Sequence, residues 1–126
     1  MLTALIDYES GNLHSALKAF EKISSENSLG SVTITNDPEI ISNADRLVLP
    51  GDGAVPACKA ALEKSEVFEA LKHAVLAKRR PFLGICVGMQ LMAKKGFEFE
   101  PTNGLNWING QVERIQLNDP SLKIPH

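Results

Sequence analysis

The chain has 126 residues, 44% of them hydrophobic, 22% charged and 6% aromatic. That is ordinary globular composition, and it excludes a mainly disordered or collagen-like chain. Thirteen basic against fifteen acidic residues leave a net charge of −2, which offers no electrostatic case for nucleic acid; no apolar run approaches the ~20 residues of a membrane span.

In chain order, residues 3–7 form a short apolar run ending on an acid and read as a buried strand. Ser10-Gly11-Asn12 is a turn and helix-start cluster. Leu13, Ala16, Leu17 and Phe20 then recur at i, i+3, i+4 and i+7, which predicts a helix. A loop over residues 26–31 leads to Val32-Thr33-Ile34-Thr35, β-branched throughout and therefore strand. Asp37-Pro38 opens a short helix, with aspartate as cap and proline in the first turn. Arg46-Leu47-Val48-Leu49 is a third strand, stopped by Pro50-Gly51.

Pro56 opens the next helix, with Cys58, Ala61 and Leu62 on one apolar face and Phe68, Leu71 and Val75 on another stripe. Ser65 is expected to break this helix in two, and Lys78-Arg79-Arg80 to end it, since cations suit a helix C-terminus. Phe82-Leu83-Gly84-Ile85 is a fourth strand ending at Cys86. A helix from Val87 to about Lys95 is expected next. Asn109-Gly110, between residues 105–108 and 111–115, predicts a hairpin. Strand alternating with helix predicts a single α/β domain with a mainly parallel sheet flanked by helices. In such sheets sites form beyond the carboxyl ends of the strands. The turns after Asp7, Leu49 and Ile85 qualify, and all are rich in glycine or small residues.

Gly84-Ile85-Cys86-Val87-Gly88 has the form Gly-x-nucleophile-x-Gly between a strand and a helix. That is a nucleophile elbow with cysteine in place of serine. So sharp a turn needs a strained backbone, and the residues two positions either side crowd together and must be small. The helix start places unpaired N–H groups beside the sulfur, which favours the reactive thiolate. The N–H of Val87, next after the nucleophile, can then stabilise an oxyanion. Pro50-Gly51-Asp52-Gly53 follows the third strand, and its glycines let backbone approach a ligand, so it can supply a second oxyanion N–H. As a dinucleotide fingerprint it fails, because Gly51-x-Gly53 reaches Pro56 rather than a third glycine.

Cys58 lies on the apolar stripe of a helix and reads as packing. The two cysteines, Cys58 and Cys86, have no metal-ligand spacing to a histidine, and no metal or other cofactor is expected. Met1-Leu2-Thr3-Ala4-Leu5-Ile6-Asp7 has neither the basic n-region nor the cleavage site of a signal peptide. A cytoplasmic protein with reduced thiols is therefore expected. A thiol nucleophile needs a base, yet none of His14, His73 and His126 sits in a pattern of base plus orienting carboxylate.

Four segments together carry a resemblance: Ile6-Asp7-Tyr8-Glu9-Ser10-Gly11-Asn12-Leu13, Leu49-Pro50-Gly51-Asp52-Gly53-Ala54, Gly84-Ile85-Cys86-Val87-Gly88-Met89-Gln90-Leu91 and Lys123-Ile124-Pro125-His126. The elbow alone resembles the class I glutamine amidotransferases. With the opening motif and the Pro-His ending, the chain resembles the glutaminase subunits of imidazole glycerol phosphate synthase, of histidine biosynthesis. The resemblance implies a flavodoxin-like class I amidotransferase fold, incomplete at the C-terminus. It implies glutamine hydrolysis through a Cys86 thioester, with ammonia passed to a (β/α)₈-barrel cyclase in a heterodimer. Val87 N–H and the Gly51-Asp52 peptide match oxyanion-forming positions, Gln90 matches a glutamine-binding position, and Gly53 belongs to the same ligand-facing loop. The family's base and its orienting glutamate, spaced His-x-Glu, lie downstream of the cysteine and have no counterpart here. His126 matches the family's Pro-His motif instead, so residues 1–126 are expected to be the N-terminal part of a type 1 glutamine amidotransferase domain. Asp52 stands where the family often has valine. A carboxylate there would repel an oxyanion, so its side chain is expected to face solvent or a partner and to leave only its N–H to the site.

Two competing readings share the elbow. One is a non-catalytic flavodoxin-like module that binds a ligand or senses oxidation at Cys86. The other is a cysteine hydrolase of another α/β family, which leaves the opening motif and the Pro-His ending unexplained. An edge and apolar surface left open in the sheet are also expected to make residues 1–126 self-associate.

Overall fold

A computed structural model describes residues 1–125; His126, matched above to the Pro-His motif, lies outside the described residues. The chain begins β1 (Leu2–Ile6), α1 (Leu13–Glu26), β2 (Ser31–Thr35), α2 (Pro38–Asn43) and β3 (Arg46–Leu49). It continues through α3 (Val55–Lys64), α4 (Phe68–Lys72), a π-helical turn (His73–Ala77), β4 (Phe82–Gly84) and α5 (Val87–Gln90). It then forms β5 (Ala93–Gly96), β6 (Thr102–Asn103) and β7 (Ile108–Val112). The expected caps are in place: Asn12 Oδ1 accepts from Ser15 N at 3.2 Å, and Asp37 Oδ1 from Glu39 N at 2.8 Å. Ser65 divides α3 from α4, and Arg79 at φ 55° turns the chain out of the helical run.

β1 to β4 form one parallel sheet in the order β2-β1-β3-β4. The α/β class with a parallel sheet flanked by helices is therefore as expected. Registers Leu5↔Ile34, Leu5↔Val48 and Val48↔Leu83 place those side chains on one face, and Ala4↔Leu47 and Leu47↔Phe82 place theirs on the other. The second face holds the core: Ala4, Ile6, Leu47 and Leu49 cluster with Ile41, Val55, Leu62, Val67 and Leu71, all buried. Each such side chain withdrawn from water stabilises the fold by about 1.5–3 kcal/mol. On the first face the stripe Leu13, Ala16, Leu17 and Phe20 of α1 is only half-buried, and Leu83 on the edge strand β4 is exposed. An open edge beside apolar surface is thus present, as the sequence suggests.

Two expectations fail beyond Cys86. The helix after the elbow ends at Gln90 instead of continuing to about Lys95. The carbonyls that would extend it are taken by a distant segment: Leu91 O accepts from Leu105 N at 2.7 Å, Met92 O from Trp107 N and Ile108 N at 2.9 Å, and Ala93 O from Asn106 N at 3.1 Å. Gly104 allows this approach, since a Cβ there would overlap Ala93 O. The hairpin at Asn109-Gly110 is also absent. Both residues lie inside β7, which pairs parallel with β5 at Ala93↔Ile108 and Lys95↔Gln111, with a bulge between. A type I′ turn needs φ > 0 at both central residues, and the chain spends its positive φ earlier, at Asn106 (58°). β6, β5 and β7 make a separate three-stranded sheet. Among the described residues no helix is long and apolar enough to cross a membrane.

Candidate active site

The chain leaves β1 in one direction to reach β2 and passes back across it to reach β3, so the topological switch lies between β1 and β3. Their loops meet at the carboxyl edge of the sheet, where α/β folds hold ligands. The turn after β4 joins them, because Ile85 N–H donates to Leu49 O at 3.0 Å.

Cys86 occupies the apex of that turn at φ 54°, ψ −117°, and its side chain is exposed. A non-glycine residue at such a φ is costly and persists only where its surroundings impose it. Here they do. Gly88 N–H donates to Ile85 O at 2.9 Å, Met89 N–H to Cys86 O at 3.0 Å, and Gln90 N–H to Cys86 O at 3.1 Å. The crowding expected around the nucleophile is present. A Cβ on Gly84 would stand 2.7 Å from Gly88 O and from Met89 Cα, and one on Gly88 would overlap Leu49 O. Val87, first in α5, has no i→i−4 partner within the helix. α5 is a single turn and aligns few peptide dipoles, so local amides rather than a long-helix field are what the turn offers.

Gly51 is buried and packs on the same turn: a Cβ there would lie 2.9 Å from Gly88 N, 3.2 Å from Val87 Cβ and 2.6 Å from Tyr8 Oη. The structure thus brings Gly51 against Val87 and Gly88. Gly53, at φ +83°, is at the exposed outer end of the loop with open space beyond its Cα.

Asp52 is exposed, but its carboxylate is not simply in solvent. Oδ1 accepts from Gly11 N–H at 3.0 Å and lies 3.3 Å from Ser10 Oγ. The Asp52 N–H, expected to serve the site, donates to Ser10 Oγ at 3.2 Å. Its carbonyl accepts from Cys58 Sγ at 3.0 Å, and the Cys58 thiol lies 3.2 Å from Ser10 Oγ. Cys58 is buried in the core as expected, with this contact to the loop besides. Two residues before Asp52, the buried Tyr8 hydroxyl donates to Pro50 O at 2.6 Å. Burial holds that phenol well above the ordinary tyrosine range; its bond to Ser10 opposes the shift, while Cys58 and Asp52 nearby reinforce it.

Gln90 lines a cavity of about 440 Å³ together with Phe97, Glu98, Phe99 and Arg114, a cavity that Cys86 does not line. Glu98 also caps α3, its Oε2 accepting from Val55 N–H at 2.9 Å, a bond that the Ala54 cap position cannot supply from its own side chain. Sequence reasoning assigned no role to Tyr8, Ser10 or Glu98. The switch-point rule, applied to the β1 loop, is the signal that finds Tyr8 and Ser10, because it sets them beside Pro50–Gly53. No local signal marks Glu98. His14 sits exposed in the first turn of α1 and His73 is exposed in the π-helical turn, so neither is brought to Cys86 by a hydrogen bond among the described residues.

Residues 4–106 match the family model for glutamine amidotransferase class-I. This chain belongs to the class-I glutamine amidotransferase family. Named relatives are similar along all of it. The "Imidazole glycerol phosphate synthase subunit HisH" of Ruegeria pomeroyi is 57% identical over 127 residues, covering 100% of this chain and 60% of the relative. The protein of the same name from Cereibacter sphaeroides is 54% identical with the same coverage. That from Caulobacter vibrioides is 50% identical over 124 residues, 98% of this chain and 58% of the relative. This class-I amidotransferase chain therefore spans about 60% of the length of the curated relatives it matches.

Proposed function

We propose that this chain is the nucleophile-bearing part of a glutaminase subunit of imidazole glycerol phosphate synthase, and that residues 1–126 form the N-terminal portion of its type 1 amidotransferase domain. The observation that carries the reading is Cys86 at positive φ between two glycines that tolerate no Cβ, in a chain whose relatives bear that name. The Cys86 thiolate attacks the side-chain carboxamide carbon of glutamine. The carbonyl π electrons move to oxygen, and the Val87 N–H with the Gly51-Asp52 peptide receives that oxyanion. The leaving nitrogen takes up a proton from the general acid, and collapse expels it as ammonia and leaves a glutamyl thioester. Water then cleaves the thioester to glutamate and restores the thiol.

In this reading Gly51 and Gly53 let the loop lie against the substrate. Gln90 and Glu98, which share a cavity, suit the polar amino-acid end of glutamine, a carboxylate being the natural partner of its ammonium. The general base, a histidine oriented by a glutamate, belongs to the length of the relatives that this chain does not span. Ammonia passes to a (β/α)₈-barrel cyclase partner in the cytoplasm, and the chemistry calls for no cofactor. The non-catalytic binding or redox-sensing alternative is not favoured by the relatives' names.

The test is labelling and turnover in the full-length polypeptide with its partner. A glutamine-analogue electrophile is expected to modify Cys86 and spare Cys58, and Cys86→Ala is expected to abolish ammonia release. Modification at Cys58 alone, or ammonia release undiminished in Cys86→Ala, overturns the reading.

A further inference from the structure

α3 starts without a cap of its own. The residue before it, Ala54, has no side-chain acceptor, and Pro56 in its first turn has no N–H. Cys58 N–H already donates to Ala54 O at 3.0 Å. The Val55 N–H, an orphan donor of the first turn, is taken instead by Glu98 Oε2 at 2.9 Å, from 43 residues further along the chain. Glu98 stands in an exposed stretch between β5 and β6, where a glutamate side chain otherwise keeps its rotamer freedom. The bond to Val55 removes much of that freedom before any ligand arrives. It joins a carboxylate to the positive end of a ten-residue helix, and such charge-assisted bonds are stronger than neutral ones.

The same helix supports the chain on both sides of Glu98. Before it, Gly96 packs on Val55, since a Cβ there would lie 3.7 Å from Val55 Cγ1. After it, Lys59 Nζ of α3 donates to Asn103 O at 2.8 Å. A carboxylate has two oxygens and about four lone-pair sites. With Oε2 on Val55, Oε1 remains for the cavity that Glu98 lines with Gln90. We propose that the Val55 N–H is a positioning group, which fixes the Glu98 carboxylate so that the site selects a substrate bearing an α-ammonium. The proposal rests on the glutaminase reading above and deepens it, by assigning amine selection to a tether at the start of α3. A carboxylate ordered in advance loses little freedom on binding, so the tether acts on KM more than on kcat.

The test uses the full-length polypeptide with its partner. It compares kcat/KM for glutamine with that for glutaramate, the same molecule without its α-ammonium. Glu98→Gln keeps an acceptor for Val55 but loses the charge, and is expected to cut this ratio about a hundredfold. Val55→Pro deletes the donor and leaves the cavity side chains in place, and is expected to cut the ratio about tenfold, through KM. Val55→Ala keeps the amide while trimming the buried side chain, and is expected to retain the ratio. A ratio unchanged in Glu98→Gln or in Val55→Pro, or lowered as much in Val55→Ala, overturns the proposal. A second measurement does not need Val55→Pro to fold: amide hydrogen exchange at Val55 by NMR in the Cys86→Ala polypeptide, which binds glutamine without turnover. Val55 is expected to stay protected when glutamine is added, and to exchange about tenfold faster when Glu98→Ala is introduced as well. Exchange that quickens on adding glutamine shows Glu98 leaving the helix to reach the ammonium, and overturns the tether. If the wild type with its partner releases no ammonia, the glutaminase reading fails and amine selection falls with it, while the exchange result still decides whether Glu98 holds the Val55 amide.

Discussion

The turn at Cys86 and the loop at Pro50–Gly53 leave neighbouring strands of one sheet at the same end, and both are bounded by glycines, yet they are held in different ways. The Cys86 turn is secured by backbone on backbone, through hydrogen bonds spanning three or four residues such as Gly88 N to Ile85 O and Gln90 N to Cys86 O. The Pro50–Gly53 loop is secured through side chains, by Tyr8, Ser10 and Gly11 from 41 or 42 residues away and by Cys58 from six. The first arrangement is set by residues adjacent in the chain. The second depends on groups that meet only when the sheet has formed.

The comparison can be broken at Cys86, the proposed nucleophile, first. Cys86→Ala in the full-length polypeptide with its partner is expected to lower glutamine turnover by at least about a thousandfold, measured by ammonia release, with a melting temperature close to wild type because the side chain is exposed. The next largest effect is on the backbone of the Cys86 turn. Gly88→Ala places a methyl on Leu49 O, and unfolding in urea is expected to show a loss of about 3 kcal/mol or more. Gly51→Ala meets two side chains, Tyr8 and Val87, and one backbone atom, Gly88 N. Because its nearest contacts, 2.6–3.2 Å, are longer than the overlap with Leu49 O at Gly88, a smaller loss of about 1–3 kcal/mol is expected. A loss in Gly51→Ala as large as that in Gly88→Ala would erase the distinction between the two turns.

Tyr8→Phe removes the donor to the buried Pro50 carbonyl and is expected to cost about 1–2 kcal/mol, the penalty of an unsatisfied buried acceptor. Its pH dependence sharpens the point. Tyr8 is the sole tyrosine, and burial raises its folded pKa above the unfolded value. Its contribution is therefore fully present below the ordinary value of about 10 and declines above it, by up to about 1.4 kcal/mol per pH unit. Denaturation midpoints for wild type and Tyr8→Phe should thus differ most at neutral pH and converge as pH rises past 10. A constant difference would show that the phenol is not the group responsible.

The α/β class, the strands through residue 85 and the elbow were all legible before any coordinates, and for one reason. Strand runs such as Arg46–Leu49, the caps at Asn12 and Asp37, and the Gly84-x-Cys86-x-Gly88 spacing act over a few residues, where periodicity and local sterics decide. Residues 91–112 were not legible. Asn109-Gly110 has the composition of a tight turn and Met89 to Lys95 that of a helix, but the carbonyls of Leu91, Met92 and Ala93 bind the amides of Leu105 to Ile108 instead. The site divides along the same line. Cys86, Val87 and Gly51 could be singled out from their local pattern, whereas the hold of Ser10 and Cys58 on Asp52, and the sharing of one cavity by Gln90 and Glu98, could not.

What the sequence determined by itself is a parallel βα run that delivers a cysteine on a glycine-flanked turn, because those features follow from steric and hydrogen-bonding preferences of adjacent residues. Only the tertiary structure decided which way the Asp52 peptide faces and where the chain goes after Gln90. Both depend on polar groups far apart in the chain finding each other as the sheet closes, and a one-dimensional pattern holds no record of that pairing.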